Sequence, residues 1–200
     1  MIKNILIVLF TTFLLSACST GQSLLKQEEI KKQNIIKAQN QEIKNKEELI
    51  LKIKLLLELI AANDIEAINL EFINEKYGIY EVFVDDESEK LSFLKKNSIE
   101  EIDNYVESNE IKEEDVKFEC KPVNDTFYGW NKSGVFLTKN IKNYLSKLQV
   151  NEEIRKIIEN NSYELVITNN IIFYITKIED NWYITLIDQV KTDCSYTEIQ

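Results

Sequence analysis

The chain has 200 residues, with 34 acidic side chains, 24 basic side chains and a formal net charge of −10 at pH 7. This negative charge disfavours nucleic acid as a partner, because the phosphates would be repelled. The chain contains no histidine, which excludes Ser-His-Asp and Cys-His catalysis and every zinc site built on imidazole. Neither a phosphate-binding glycine-rich loop nor a dinucleotide-binding fingerprint occurs. We therefore expect no cofactor, no metal and no catalytic residues.

The first residues have the layout of a secretory signal peptide. Lys3 lies in a short polar start, and residues 5–15 are almost purely apolar. That apolar run is about 11 residues long, whereas a helix needs roughly 20 to span a bilayer. The pattern predicts a cleaved signal peptide over residues 1–17 rather than a transmembrane helix.

The next motif, Leu15-Ser16-Ala17-Cys18, resembles the lipobox of bacterial lipoproteins. The resemblance implies that the chain is cut before Cys18 and that this cysteine carries acyl chains such as palmitate. Two or three chains anchor a protein stably, since each buried methylene contributes ~0.8 kcal/mol. An aspartate after the lipidated cysteine would indicate retention in the inner membrane of some bacteria. Ser19 follows the cysteine here, so we expect an envelope lipoprotein on the outer membrane, facing the periplasm or the cell surface. The alternative is a secreted protein with a chance cysteine.

The two remaining cysteines are Cys120 and Cys194. Disulfides persist in oxidising envelope compartments, so an exported address favours a Cys120–Cys194 disulfide. The alternative is two separate thiols, because the sequence does not give the geometry that a bridge requires.

Residues 18–48 are predicted to form a lipidated cysteine followed by a polar helical stalk. The segment is rich in Lys, Glu, Gln and Asn and has no Pro, which favours helix. Ile36 and Ile43 are spaced by seven residues, but the companion heptad positions Gln39 and Lys46 are polar. This pattern indicates a solvated helix rather than a strong coiled-coil dimer.

Residues 49–200 are predicted to form one α+β domain that begins with a helix pair. Residues 49–62 are apolar on a wide face. Asn63 or Asp64 is placed to cap a second helix. A strand is expected over residues 77–84.

The middle of the domain is predicted to mix helices and short strands. Ser98 and Glu101 form a capping box, which predicts a helix to about Glu107. A strand is expected over 116–120, two short strands between Phe127 and Leu137, and helices over 140–149 and 152–160.

Three β-branched and aromatic runs close the chain, over residues 163–168, 171–178 and 182–190. They predict an antiparallel meander. Helices first and strands last, without regular βα alternation, favour α+β over a doubly wound sheet.

The order of a helix pair, a strand and a closing meander that contains Asn181-Trp182-Tyr183-Ile184 resembles the cone-shaped nuclear-transport-factor-like fold. That resemblance implies a sheet curved around a pocket over residues 49–190. The segments 77–80 and 193–195 are also similar to segments of uncharacterised bacterial exported proteins, which implies no function.

The candidate binding surface is an aromatic and amide cluster in residues 124–134. Phe127, Tyr128, Trp130 and Asn131 lie beside Asn124 and Asp125, and such side chains stack on sugars or anchor partner proteins. The alternative for Trp130 is a place in the core, which is also what we expect for Trp182.

Carboxylates are the remaining source of catalytic or metal chemistry. Two possibilities are paired acids of glycosidase type and a calcium site in the acidic run 85–89. Solvated turns explain these acids more simply in a chain with 34 of them. The residues concerned are Asp85, Asp86, Glu87, Ser88, Glu89, Glu113, Glu114, Asp115 and Asp188.

Together these patterns predict a membrane-anchored, non-catalytic binding module whose partner is an envelope protein or glycan. A toxin-neutralising immunity lipoprotein with one tight basic partner is a version of this hypothesis. The alternative is a small-ligand-binding or enzymatic cone domain that uses a carboxylate such as Asp188 in a pocket.

Overall fold

The computed structural model of the chain describes residues 2–123, 127–139, 146–147 and 150–195, with side chains from residue 29 onward except at 122–123 and 127–128. Most of the helix predicted over 140–149 therefore lies outside the described residues. Also outside the described part are Asn124, Asp125 and the side chains of Cys18, Phe127 and Tyr128. The chain divides into two compact units, residues 1–48 and 49–200.

The first unit consists of helix, as the stalk prediction requires. Helix α1 covers Ile2–Ala61, and its side chains are exposed from residue 29 to residue 44. Ile36 and Ile43 are 55% and 59% exposed. Local pairs support the helix, since Gln41 donates to Asn45 at 2.9 Å and Lys44 lies 3.7 Å from Glu48. Within the described part of the chain, no helix is apolar over a length that would cross a membrane.

The second unit begins with the predicted helix pair. The last turns of α1 bury Leu49, Ile53, Leu56, Leu57 and Ile60. The chain then reverses through Asn63, which has a φ of 56°. Helix α2 follows over Ile65–Phe72, and its N-cap is Asp64, whose side chain accepts a hydrogen bond from the Ala67 N–H.

The described strands of this unit are β1 (Ile79–Asp85), β2 (Lys90–Lys96), β3 (Ile111–Lys112), β4 (Phe118–Val123), β5 (Phe127–Trp130), β6 (Val135–Thr138), β7 (Ser162–Ile167), β8 (Ile171–Ile178) and β9 (Asn181–Asp188). Seven of them form a mixed, mostly antiparallel sheet in the order β2-β1-β9-β8-β7-β6-β3, and β4 and β5 form a separate hairpin. Within the described residues, parallel pairing joins β1 to β9 and β3 to β6, and the other strand pairs are antiparallel. This arrangement confirms the α+β class and the C-terminal meander.

Apolar side chains pack on both faces of the sheet. On one face, β-strand residues such as Leu165, Phe173 and Ile184 pack against α1 and α2. On the other, Tyr174 and Leu186 pack against α3 (Glu152–Asn161). Because these strands are buried on both faces of the sheet, their sequences are nearly continuous apolar runs.

The helix predicted from the capping box at Ser98 and Glu101 is wrong, because residues 99–107 form no helix. Ile99, Ile102 and Val106 do face the core, as a helical spacing would place them. They reach it from an irregular segment that covers the sheet.

Distant amides replace the helical hydrogen bonds of that segment. The Asn69 side chain donates to the Ile99 carbonyl at 2.8 Å and accepts from the Ile99 N–H at 2.7 Å. Asn170 donates to the carbonyls of Asp103 and Tyr105 at 2.6 and 2.8 Å. Tertiary contacts therefore override the local helix signal.

A second difference concerns residues 85–96. The acidic run was expected to be a turn, and it is one, but the strand β2 that follows was not predicted. β2 forms a seven-residue antiparallel ladder with β1. Its Lys-rich sequence shows no clear alternation of polar and apolar residues. It is an edge strand with one neighbour in the sheet, and lysines are common on such strands.

Candidate functional site

A cleft of about 480 Å³ opens at one end of the sheet. The β8–β9 ladder ends there at the pair Phe173 and Ile187, while Ile171 and Ile172 continue alongside β7. Because the strands diverge at this point, the sheet end is open to side chains from three other segments. These segments are β4–β5, residues 96–101 and residues 188–192.

The lining of the cleft has three kinds of side chain. Among the described residues, its carboxylates are Glu81, Glu100, Glu101 and Asp188, and its one ammonium group is Lys96. The amides and hydroxyls come from Ser98, Asn169, Asn170, Gln189 and Thr192. The apolar and aromatic residues are Ile99, Phe118, Trp130, Ile167, Ile171, Ile172 and Ile187.

The β4–β5 hairpin provides the aromatic wall. Phe118 and Trp130 are a cross-strand pair, and their rings meet edge to face with centroids 5.3 Å apart. Trp130 is half-buried and packs against a small cluster that includes Val116 and Phe136. One part of the indole therefore belongs to the core and another lines the cleft.

A disulfide ties this hairpin to the end of the chain. Cys120 and Cys194 are bonded, with 5.3 Å between their Cα atoms, which is a normal separation for a bridge. The pairing agrees with the prediction from the exported address. It holds β4 against the residues that follow β9.

A buried ion pair lies next to the same wall. The Lys191 ammonium is 2.7 Å from a carboxylate oxygen of Glu164, a residue that is 1% exposed. The same ammonium lies 5.9 Å from the centroid of the Trp130 ring. Trp130 is thus held by the disulfide-linked tail as well as by its own hairpin.

Glu81 is the centre of a polar network at the cleft. Its carboxylate accepts from the Gln189 amide at 2.7 Å and lies 2.6 Å from the Lys96 ammonium. The hydrogen bond to Glu81 raises the pKa of Lys96, and the negative charges of Glu81, Glu100 and Glu101 add to the rise. The mouth of the cleft therefore stabilises positive charge.

Asp188 ends β9 and is 3% exposed. Its Oδ1 accepts from the N–H groups of Val190 and Lys191 at 2.9 and 3.0 Å. These bonds turn the chain after β9, so the carboxylate has a structural task besides lining the cleft.

The predicted binding surface is only partly assembled in the described residues. Trp130 lines the cleft, but Asn131 does not, because its N–H and side-chain oxygen bind the backbone of Lys117 at 3.0 Å each. The positions of the Phe127 and Tyr128 side chains lie outside the described residues. Trp182 is 4% exposed and belongs to the core, as expected.

The other acidic candidates lie in turns and surface pairs. Asp85 accepts from the N–H and hydroxyl of Ser88 at 2.9 and 2.7 Å, and these bonds lower the pKa of the carboxyl. Glu114 pairs with Lys132, and Asp115 accepts from Thr138. Among the described side chains, no group of three or more acids and cysteines is arranged to hold a metal ion.

Sequence reasoning missed Glu81, Lys96, Phe118 and Gln189 as cleft residues. Glu81 and Gln189 are 108 positions apart, and the parallel pairing of β1 with β9 brings them together. A polar residue inside an otherwise apolar strand was the only local signal for Glu81.

Comparison of the chain with protein-family models, curated proteins and solved structures found no match.

Proposed function

We propose that this protein is a lipid-anchored, non-catalytic binding protein of the bacterial cell envelope and that the cleft at the sheet end is its binding site. The lipobox at Cys18 supports the anchor. The cleft itself carries the proposal, because it combines a half-buried tryptophan with buried and exposed polar groups. Concave sites with apolar walls and a few polar groups are typical of ligand-binding proteins.

The geometry favours binding over catalysis. Asp188 is engaged by two backbone N–H groups, and Glu81 is engaged by Lys96 and Gln189. Both carboxylates are therefore already bound to groups of the protein itself, which suits a role in shaping a binding site. A small-ligand-binding role uses the same cleft and differs only in the size of the occupant.

The binding site can be tested with a substitution that fills the cleft. Ser98 is exposed and lines the cleft, whereas its exposed neighbour Asn97 does not. Ser98→Trp should abolish capture of the partner in a cross-linked pull-down from whole envelopes, while Asn97→Trp should retain it. Equal thermal unfolding of the two variants shows that folding is unchanged. A partner captured equally by both variants would contradict the assignment of the cleft.

The anchor has a separate test. Cys18→Ala removes the sulfur to which the lipobox chemistry attaches the diacylglyceryl group, so the protein should leave the membrane fraction. Ser19→Ala is the matched control and should remain in it. Persistence of Cys18→Ala in washed membranes would refute the lipid anchor without bearing on the cleft.

A further inference from the structure

Carboxylates outnumber ammonium groups in the described lining of the cleft. Four carboxylates face one ammonium group, Lys96, among the described lining residues, and that ammonium already lies 2.6 Å from Glu81. We propose that the cleft binds a positively charged group on an apolar stem, which is to say an alkylammonium or alkylguanidinium group. This inference rests on the proposed binding function and names the class of ligand.

Apolar contacts for the stem come from the interior of the cleft. Ile187 and Ile171 lie where the strands diverge, and Trp130 with Phe118 forms the wall above them. A methylene chain gains burial from these side chains. An ammonium or guanidinium near the indole also gains from the ring, as the Lys191 ammonium does 5.9 Å from its centroid.

The hydrogen-bonding inventory favours a donor-rich cation over a neutral sugar. Both N–H bonds of the Asn170 amide are committed to the carbonyls of Asp103 and Tyr105. The Gln189 amide donates to Glu81. Ser98, Asn169 and Thr192 can both donate and accept, whereas the exposed carboxylates of Glu100 and Glu101 only accept, so acceptors are in excess. Ammonium and guanidinium groups carry only donors, which matches this excess.

The same chemistry occurs in free diamines and in the Lys and Arg side chains of peptides. The probes are therefore 1,5-diaminopentane, the blocked amino acids N-acetyl-lysine amide and N-acetyl-arginine amide, and a short Lys-containing peptide. N-acetyl-norleucine amide is the neutral control, since it keeps the stem and loses the charge. Tighter binding of the peptide than of the diamine would identify a basic peptide as the source, and the reverse would identify a small amine.

Binding is measured by calorimetry on the full chain in non-ionic detergent and by Trp130 fluorescence. The chain has two tryptophans, so Trp182→Phe leaves Trp130 as the only indole. The cationic probes should bind saturably and shift Trp130 emission, and N-acetyl-norleucine amide should not. If Trp182→Phe fails to fold, calorimetry on the unaltered chain still decides the matter.

Charge variants supply the decisive control. Glu100→Gln with Glu101→Gln removes two exposed charges at the cleft and should raise the Kd of the cationic probes by about five- to tenfold. Glu179→Gln with Asp180→Asn removes two exposed charges from the β8–β9 turn, at the opposite end of the sheet, and should change the Kd less than twofold, a threshold of about 0.4 kcal/mol.

Two results would overturn the inference. If N-acetyl-norleucine amide binds as tightly as N-acetyl-lysine amide, the cleft binds ligands but does not select charge, so the proposed function stands and the ligand class fails. If no cationic probe binds saturably, the ligand class also fails. The proposed function falls only if Ser98→Trp leaves capture of the envelope partner unchanged.

Discussion

The two walls of the cleft are held in place by different interactions. The β4–β5 wall, which carries Phe118 and Trp130, is tied covalently to the chain end through Cys120 and Cys194. The opposite wall, residues 98–101, has no regular secondary structure and is held by the Asn69 amide and by burial of Ile99. Two side-chain hydrogen bonds thus position an irregular segment, as a disulfide positions a hairpin. The hydrogen-bonded wall, however, costs less free energy to open than the disulfide-linked wall.

The largest expected effect comes from opening the covalent wall. The disulfide closes a loop across 74 positions, so Cys120→Ser with Cys194→Ser should lower the free energy of unfolding by about 4 kcal/mol in the chain-entropy model. Denaturant unfolding measures this loss. Hydrogen exchange should accelerate in β4 while the Ile99 amide stays protected.

Reduction of the unaltered protein provides the control for that experiment. Dithiothreitol should shift its unfolding midpoint towards that of the double variant and leave the double variant unaffected. Identical midpoints for oxidised and reduced protein would mean that the hairpin is held by packing alone.

A smaller effect is expected at the hydrogen-bonded wall. Asn69→Ala removes both bonds to the Ile99 backbone, which should cost about 2 kcal/mol at roughly 1 kcal/mol per bond. Exchange of the Ile99 amide should rise while β4 is unchanged, the reverse of the disulfide variant.

Asn74→Ala is a matched control for that substitution. The Asn74 side chain also accepts from two backbone N–H groups, those of Lys76 and Tyr77, but within its own turn. It should lower stability without exposing the Ile99 amide. Equal exchange at Ile99 in both variants would show that Asn69 does not hold the wall.

The smallest effect concerns the turn between β1 and β2, which contains neither the disulfide nor the hydrogen bonds of Asn69. The bonds from Ser88 lower the pKa of Asp85 below its usual 3.8. A lowered pKa in the folded state stabilises the protein above the unfolded-state pKa, and this contribution is lost as the pH falls through the folded-state pKa. Asp85→Asn should therefore lower the Tm slightly at pH 7.

The Tm difference between Asp85→Asn and the unaltered protein should shrink as the pH falls below about 3.8. Thermal unfolding monitored by circular dichroism at pH 7 and at a pH below about 3.8 measures this Tm difference. A difference that is the same at both values would show that the charge of Asp85 plays no part.

Local patterns in the sequence predicted the elements that stabilise themselves or bury a regular face. The helix pair, the Asp64 cap and the three-strand meander were predicted because their periodicity repeats over several residues. The disulfide was predicted because two cysteines remain besides Cys18 and the chain was expected to be exported, and it is present in the structure. Trp130 was singled out from its aromatic neighbours and lines the cleft.

Elements that depend on distant partners were not predictable in this way. The capping box at Ser98 predicted a helix, but Asn69 and Asn170 satisfy the backbone of that segment in another conformation. The strand β2 exists because β1 supplies its hydrogen bonds.

The sequence by itself determined the class of fold and excluded histidine chemistry, because composition and hydrophobic periodicity are local properties. The lipid anchor stays a prediction from a short motif. Only the tertiary structure decided where the cleft lies. The parallel pairing of β1 with β9 joins Glu81 to Gln189 across 108 positions. The end of the β8–β9 ladder then leaves room for a cleft beside Asp188. No local pattern encodes that gap, since it arises from the lengths at which separate strands stop pairing.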